Sequence, residues 1–132
     1  MTPEADGHLR KARDDLAKAR GVLEQLHYGD EAGRLAYPAA FHAAQALIAE
    51  RTSRTAKTHA GVHSQFPLLT KNDTRLDAGL RGFLSDASDL KTISDYAVGP
   101  GASVSLQEAE TAIATAKQFD DRIAAAVLAA SP

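Results

Sequence analysis

The sequence predicts an all-α protein folded as an up-and-down bundle of four to five helices. Alanine, the residue with the highest helix propensity, accounts for 27 of the 132 residues. No strand-length run of β-branched and aromatic residues with period two occurs in the sequence. Apolar residues instead recur at spacings of three and four in segments separated by short turn signals, which is typical of antiparallel helices.

Composition and charge limit the classes of function. A chain of 132 residues and 13.9 kDa has the size of one domain, which we predict over residues 1–132. The formal net charge is -2, so any contact with RNA has to be a local patch. Cysteine is absent, which excludes disulfides and cysteine-containing zinc sites. Because no apolar run reaches the length of a membrane span and the N-terminus has no apolar signal core, we expect a cytoplasmic protein without membrane contact.

The first helix is predicted to begin at Thr2, a capping residue followed by Pro3 at a position that needs no N–H. It runs towards Tyr28. The residues with helical spacing form one apolar stripe, which needs a partner helix: Leu9, Ala12, Leu16, Ala19, Leu23 and Leu26.

A second helix is predicted between the Gly29-Asp30 capping signal and the vicinity of Arg51. Pro38 lies inside this apolar pattern, where it deletes a backbone hydrogen bond. We therefore expect either a kink at Pro38 or a helix that starts later than Asp30.

The remaining helices follow from turn signals and spacing. A short third helix is predicted over residues 59–69, although Pro67 argues against its second half. Asn72-Asp73 predicts a turn and cap before a long fourth helix. Gly99-Pro100-Gly101 ends that helix, and Ser105 with Glu108 predicts a capping box at the start of the last helix, where Val104 packs on Ala109.

A polar cluster occupies the connector after the second helix, namely Arg51, Arg54, Lys57, His59 and His63. Arg54 and His59 have four residues between them, and an arginine can hold a phosphate while an imidazole moves a proton at neutral pH. Metal-free RNA cleavage needs at least these two groups, so Arg54 and His59 are candidate catalytic residues. The competing interpretation is a solvated connector whose histidines cap or pack.

Three histidines raise a further question. His59 and His63 have the i, i+4 spacing of helical metal ligands, but a third ligand would have to come from Asp95 or Glu50. We therefore predict no metal and no cofactor. His42 is interpreted as a histidine at a helix interface that bonds to a neighbour.

A second polar group, Lys91, Asp95 and Tyr96, ends the fourth predicted helix. Lys91 and Asp95 form an i, i+4 pair that either stabilises the helix or contacts phosphate. Tyr96 either stacks on a base or packs its ring beside Phe83.

Three stretches of this sequence together resemble the HEPN-domain family of small bacterial all-α proteins. They are residues 34–46 (RLAYPAAFHAAQA), residues 57–63 (KTHAGVH) and residues 94–96 (SDY). The resemblance implies a four- to five-helix bundle, commonly a homodimer, often encoded beside a minimal nucleotidyltransferase as a toxin–antitoxin pair. It also implies a metal-independent endoribonuclease motif of arginine and histidine late in the bundle. The corresponding residues here are Lys91 and Tyr96.

Because lysine and tyrosine replace the arginine and histidine of that motif, we predict a bundle that binds a nucleotide, RNA or a protein partner, with weak or no catalysis. Lys57, His63, Lys91, Asp95 and Tyr96 are the predicted binding residues. Two alternatives remain open. One is an active endoribonuclease that uses Arg54 and His59 with Lys91 and Tyr96, and the other is a structural module that docks a partner helix.

Overall fold

The computed structural model describes residues 1–99 and 103–129 of the chain. Within these residues six α-helices and one π-helical turn occur, and no strand. The helices are α1 (Pro3–Gly21), α2 (Gly29–Arg34), α3 (Ala36–Thr52), α4 (His59–Thr70), α5 (Ala78–Tyr96) and α6 (Leu106–Leu128), and the π-helical turn (Val22–Leu26) follows α1. The predicted all-α fold class is confirmed.

The start of α1 agrees with the prediction. The Thr2 hydroxyl accepts a hydrogen bond from the backbone N–H of Ala5, and Pro3 is the first helical residue. The regular helix ends at Gly21, earlier than predicted, and the π-helical turn continues the chain to His27, which has a left-handed backbone conformation (φ 56°).

The second predicted helix is divided at Leu35 into α2 and α3. The described residues therefore contain six α-helices, where four to five were predicted. Pro38 has no N–H to donate to the carbonyl of Arg34, so a continuous helix would lose a bond there. In the structure Pro38 lies in the first turn of α3, where the missing N–H costs least. The expected interruption near Pro38 is therefore present, as a division at Leu35, although the first of the two segments already begins at Gly29.

Two boundaries differ from the prediction. The helix α4 continues through Pro67 to Thr70, so the argument against its second half was wrong. The long helix α5 is capped by Asp77, whose carboxylate accepts from the N–H of Leu80, while Asp73 pairs with Arg75 instead of capping. The capping box at the start of α6 is confirmed, whereas Pro100 and Gly101 of the predicted breaker lie outside the described residues.

The helix α3 lies at the centre of the packing. Twelve of its residues are buried, and seven of those twelve are alanines, which let neighbouring helices approach closely. The aromatic part of the core joins α4, α5 and α6, because the ring of Phe119 lies 5.5 Å from that of Phe66 and 5.8 Å from that of Phe83. None of the described helices is long and apolar enough to cross a membrane.

Candidate functional site

A pocket of about 380 Å³ opens where α3, α4 and α5 meet. We call it the tyrosine–histidine pocket, and the residues that line it are Tyr37, His59, Ala60, His63, Ser88, Lys91 and Thr92. Each of the three helices therefore contributes polar side chains to one small cavity.

The start of α4 positions the two histidines. The Thr58 hydroxyl caps this helix by accepting a 2.9 Å hydrogen bond from the N–H of Gly61. His59 is then the first residue of the helix, and His63 follows one turn later on the same face. The cap consequently fixes both imidazoles relative to the rest of the pocket.

The phenol of Tyr37 binds both imidazoles. Its oxygen lies 2.7 Å from Nδ1 of His59 and 2.9 Å from Nε2 of His63. The Tyr37 ring also stacks on both, with centroid distances of 5.6 Å and 5.9 Å. The ring of Phe41 also stacks on the His59 ring, with a centroid distance of 4.5 Å. These contacts hold the imidazoles by both their edges and their faces.

Burial sets the protonation of this cluster. It raises the pKa of Tyr37, an effect that a hydrogen bond from Ser88 partly opposes, so the phenol keeps its proton at neutral pH. Burial also lowers the pKa of His63, and the charge of a protonated His59 would lower it further. The pocket therefore presents a neutral phenol and a neutral His63 imidazole to a ligand at neutral pH.

The charged rim of the pocket lies on α5. The Lys91 ammonium forms an ion pair with the Asp95 carboxylate, which also lies 3.1 Å from Nε of Arg34. The hydrogen bond from Lys91, with a smaller contribution from the charge of Arg34, lowers the pKa of Asp95. Two cations thus share one carboxylate, and Glu31 lies 3.6 Å from Arg34 at the outer edge.

Of the predicted site residues, the structure brings His59, His63 and Lys91 together, with Asp95 beside them. It does not bring Arg54 to them. Arg54 is exposed and lines a different pocket together with Thr2 and Glu4. Arg54 and His59 line different pockets, and the residues between them form an irregular connector instead of a helical turn, so their pairing stays a prediction that the geometry does not support.

Lys57 and Tyr96 are also outside the pocket lining. Lys57 is exposed in the connector before α4. Tyr96 is 77% exposed at the end of α5, so the expectation that its ring packs beside Phe83 was wrong. The ring is free to contact a ligand or another chain.

Neither Glu50 nor Asp95 is placed as a third metal ligand beside His59 and His63. Glu50 accepts a hydrogen bond from the backbone N–H of Thr2, and Asp95 is held by its two cations. No group of three candidate ligands occurs among residues 1–99 and 103–129. The interpretation of His42 is confirmed, because its Nδ1 lies 2.8 Å from the side-chain oxygen of Gln45.

Sequence reasoning gave no role to three residues of the pocket, Tyr37, Ser88 and Thr92. The spacing of Ser88, Lys91 and Thr92 places these polar side chains on one face of α5, a signal that could have found them. No such signal marks Tyr37. Its sequence neighbours are alanines and a phenylalanine, and a tyrosine in that context is also common in a helix that is simply buried in the core.

A family model for the HEPN domain matches residues 5–124 of the sequence. The chain belongs to the HEPN domain family. The match spans all of α2 to α5, including every residue of the tyrosine–histidine pocket. The comparison with curated proteins found no match.

Membership in the HEPN family indicates a helical module related to nucleotides or RNA. In this HEPN domain residues 91–96, which we expected from the resemblance to correspond to the family motif, form the end of α5. Lys91 of that segment faces the pocket while Tyr96 does not line it. Lys91 and the two histidines of α4 therefore line the same pocket.

Proposed function

We propose that this HEPN domain binds a phosphate group of a nucleotide or of RNA in the tyrosine–histidine pocket. The observation that carries the proposal is the chemistry of the lining. Lys91 contributes an ammonium group to the lining, and none of the described lining residues is a carboxylate. Hydroxyl, imidazole and ammonium groups surround the cavity, which suits an anion with several acceptor oxygens.

The shared carboxylate of Asp95 supports this proposal. Lys91 and Arg34 each donate to one anion, so a phosphate that enters the pocket finds Lys91 already held in place. Its side chain is 36% exposed, which leaves the ammonium accessible. The side-chain entropy lost on binding is correspondingly small.

The surroundings of the pocket favour RNA over an isolated phosphate. The exposed ring of Tyr96 follows Lys91 on the same helix, and base–aromatic stacking contributes about 1–3 kcal/mol per base. Lys57 is exposed just before α4. We infer that Tyr96 stacks on a base and that Lys57 contacts a neighbouring phosphate.

The experiment that tests the proposal is binding of a labelled single-stranded RNA in excess chelator, measured by fluorescence anisotropy. Lys91→Ala is expected to raise the Kd roughly tenfold and to reduce the salt dependence by about one counterion. The chain offers a matched control in Lys117→Ala, because Lys117 forms the same i, i+4 pair with an aspartate on α6. Equal losses in the two variants would contradict the assignment of the phosphate site.

A second candidate function is metal-independent RNA cleavage, and one observation favours it. Two imidazoles, His59 and His63, line the same cavity as an ammonium group. These are the groups that general acid–base cleavage of a phosphodiester needs. In excess chelator, both His59→Gln and His63→Gln should abolish cleavage while His8→Gln, on α1, retains it. Cleavage that survives in all three variants would come from a contaminating nuclease.

We also propose, from the family resemblance, that the domain acts as a homodimer in a toxin–antitoxin-like pair with a minimal nucleotidyltransferase. The exposed apolar side chains of Ile93, Tyr96 and Val98 support a protein contact at the end of α5. Light scattering of the purified chain tests the dimer, and a monomeric mass would remove it. If RNA also fails to bind, a module that docks a partner helix becomes the better proposal.

A further inference from the structure

We propose that the Tyr37 phenol couples the two imidazoles so that their remaining nitrogens have opposite roles. One of these nitrogens then presents an N–H group to a ligand and the other presents a lone pair. The coupling depends only on the hydrogen bonds between the phenol and the two imidazoles. The catalytic role that we give it rests on the proposed function, since it requires an RNA phosphodiester bound in the pocket.

The argument begins with a count of protons. A phenol carries one proton and can donate it to one acceptor. Tyr37 meets two imidazole nitrogens at hydrogen-bond distance, Nδ1 of His59 and Nε2 of His63. If the phenol donates to one of them, the other nitrogen must carry an N–H and donate to the phenol oxygen. Two facing lone pairs would leave one of these short contacts repulsive.

The tautomers of the two rings follow from this count. His59 contacts the phenol through Nδ1 and His63 through Nε2, so opposite roles at the phenol require the same tautomer in both rings. When both rings are Nε2–H tautomers, His63 donates to the phenol and the phenol donates to His59. The nitrogens left for a ligand are then an N–H at Nε2 of His59 and a lone pair at Nδ1 of His63.

The second arrangement is the reverse of the first. When both rings are Nδ1–H tautomers, His59 donates to the phenol and the phenol donates to His63. The free nitrogens exchange roles, so Nε2 of His59 carries the lone pair and Nδ1 of His63 carries the N–H. A neutral cluster has no arrangement in which the phenol donates to a histidine and both free nitrogens are alike.

The two arrangements are connected by a balanced cleavage step on RNA. Nδ1 of His63 takes the proton of the ribose 2′-hydroxyl, the 2′-oxygen forms a bond to phosphorus, and the bond to the 5′-oxygen breaks. Nε2 of His59 gives its proton to that 5′-oxygen. At the same time His63 passes its Nε2 proton to the phenol, and the phenol passes its own proton to Nδ1 of His59. The cluster ends neutral and in the second arrangement.

Hydrolysis of the resulting 2′,3′-cyclic phosphate returns the cluster to its starting state. Nε2 of His59 now takes a proton from water, whose oxygen bonds to phosphorus, while the bond from phosphorus to the 2′-oxygen breaks and Nδ1 of His63 protonates that oxygen. At the same time His59 passes its Nδ1 proton to the phenol, and the phenol passes its own proton to Nε2 of His63. Tyr37 is thus a positioning residue that moves a proton between two imidazoles without touching the substrate. Lys91 lines the same pocket, where its ammonium group offsets the negative charge of the phosphate.

The hydroxyl of Ser88 supplies the alternative that an experiment must exclude. Ser88 lines the pocket, and its hydroxyl opposes the rise in the pKa of the Tyr37 phenol. If Ser88 donates to the phenol oxygen, the count above is unchanged. If the phenol instead donates to Ser88, both imidazoles must donate to the phenol, and the two rings then have different tautomers.

The deciding measurement is the imidazole ¹⁵N chemical shifts of the wild-type protein at neutral pH, assigned with the variants His59→Gln and His63→Gln. The coupling predicts one tautomer for both rings, either Nε2–H in both or Nδ1–H in both. Different tautomers in the two rings would overturn it. This readout needs no RNA, so it stands apart from the success or failure of the proposed function.

The role in cleavage is tested with Tyr37→Phe, which keeps the ring and removes the hydroxyl. At saturating RNA the cleavage rate should fall by at least about 100-fold, the usual contribution of acid–base catalysis, whatever the change in Kd. Tyr28→Phe is the control, since Tyr28 is 58% exposed and lies outside the pocket lining. A folded Tyr37→Phe variant that cleaves at the wild-type rate would contradict the relay.

Discussion

The ring of Phe41 stacks on the ring of His59, with centroids 4.5 Å apart and planes inclined by 27°. Phe41 lies on α3, whereas His59 is the first residue of α4, so this contact joins a buried helix to an exposed helix start. The first residue of a helix is usually the part that frays. Here an aromatic face covers the imidazole, which explains how an exposed histidine stays in bonding distance of Tyr37.

Phe41→Leu should loosen His59 while the fold survives. The substitution keeps an apolar side chain of similar volume, so we expect the free energy of unfolding to fall by only about 1 kcal/mol. The ring protons of His59 should lose part of the upfield shift that a stacked aromatic face causes. An NMR spectrum that leaves His59 unchanged in this variant would show that the stack does not hold the ring.

The carboxylate of Asp120 predicts an unusual dependence of stability on pH. It lies on α6 beside α1, and both of its oxygens are buried without a hydrogen-bond partner. Burial, with a contribution from the charges of Asp121 and Asp15, raises the pKa of Asp120 to about 8. Arg13 and Lys117 oppose this rise only in part.

The sign of the effect follows from linkage. Between the ordinary pKa of 3.8 and the folded value of about 8, the folded chain holds a proton that the unfolded chain has released. The free energy of unfolding therefore falls as the pH rises through this window and levels off above it. The pKa of Asp15 is also raised by burial, so its contribution has the same direction.

Asp120→Asn should remove this penalty because the amide cannot ionise. We expect the variant to be more stable than the wild type at pH 8 by at least about 2 kcal/mol, and little different near pH 4. Thermal melts across this pH range measure the difference. Asp89→Asn is the control, because Asp89 is exposed on α5 and is not one of the charges that raise the pKa of Asp120, and it should stay within about 0.5 kcal/mol of the wild type at every pH. A flat profile for the wild type would contradict the raised pKa.

Helix spacing and capping signals predicted most of the fold. The apolar stripes placed α1, α5 and α6, and the Ser105–Glu108 capping box located the start of α6 to the residue. These signals are local, since each depends on residues within one or two turns. The division at Leu35 was visible only as the conflict that Pro38 introduced.

The residues of the pocket were predicted only in part, because their proximity depends on contacts between helices that are distant in the sequence. His59, His63 and Lys91 were found because charged or titratable residues stand out in a sequence rich in alanine. Tyr37, the common partner of the two histidines, precedes His59 by 22 positions, and this contact depends on how α3 packs against α4. Arg54 lines a different pocket because the connector between it and His59 is not helical, so their spacing in the sequence did not indicate proximity in space.

Two glycines in helices should respond oppositely to the same substitution. A Cβ on Gly29 would fall within contact distance of the backbone carbonyl of Val104, at the start of α6. Backbone cannot move aside cheaply, so Gly29→Ala should destabilise the protein by about 1–3 kcal/mol. A Cβ on Gly7 meets nothing within 4 Å, so Gly7→Ala should stabilise α1 by about 0.5–1 kcal/mol. Chemical denaturation of both variants checks this, and effects of the same sign would contradict the close approach of α2 and α6.

Arg54→Ala should leave the tyrosine–histidine pocket unaffected. Arg54 is exposed, and the described structure gives its guanidinium no hydrogen bond or ion pair, so we expect stability within about 0.5 kcal/mol of the wild type. RNA binding and any cleavage should also match the wild type, whereas His59→Gln impairs cleavage. The two residues would be a catalytic pair only if Arg54→Ala and His59→Gln lost cleavage equally and the double variant lost no more than either. That result would place the phosphate at the connector and remove Lys91 from its role.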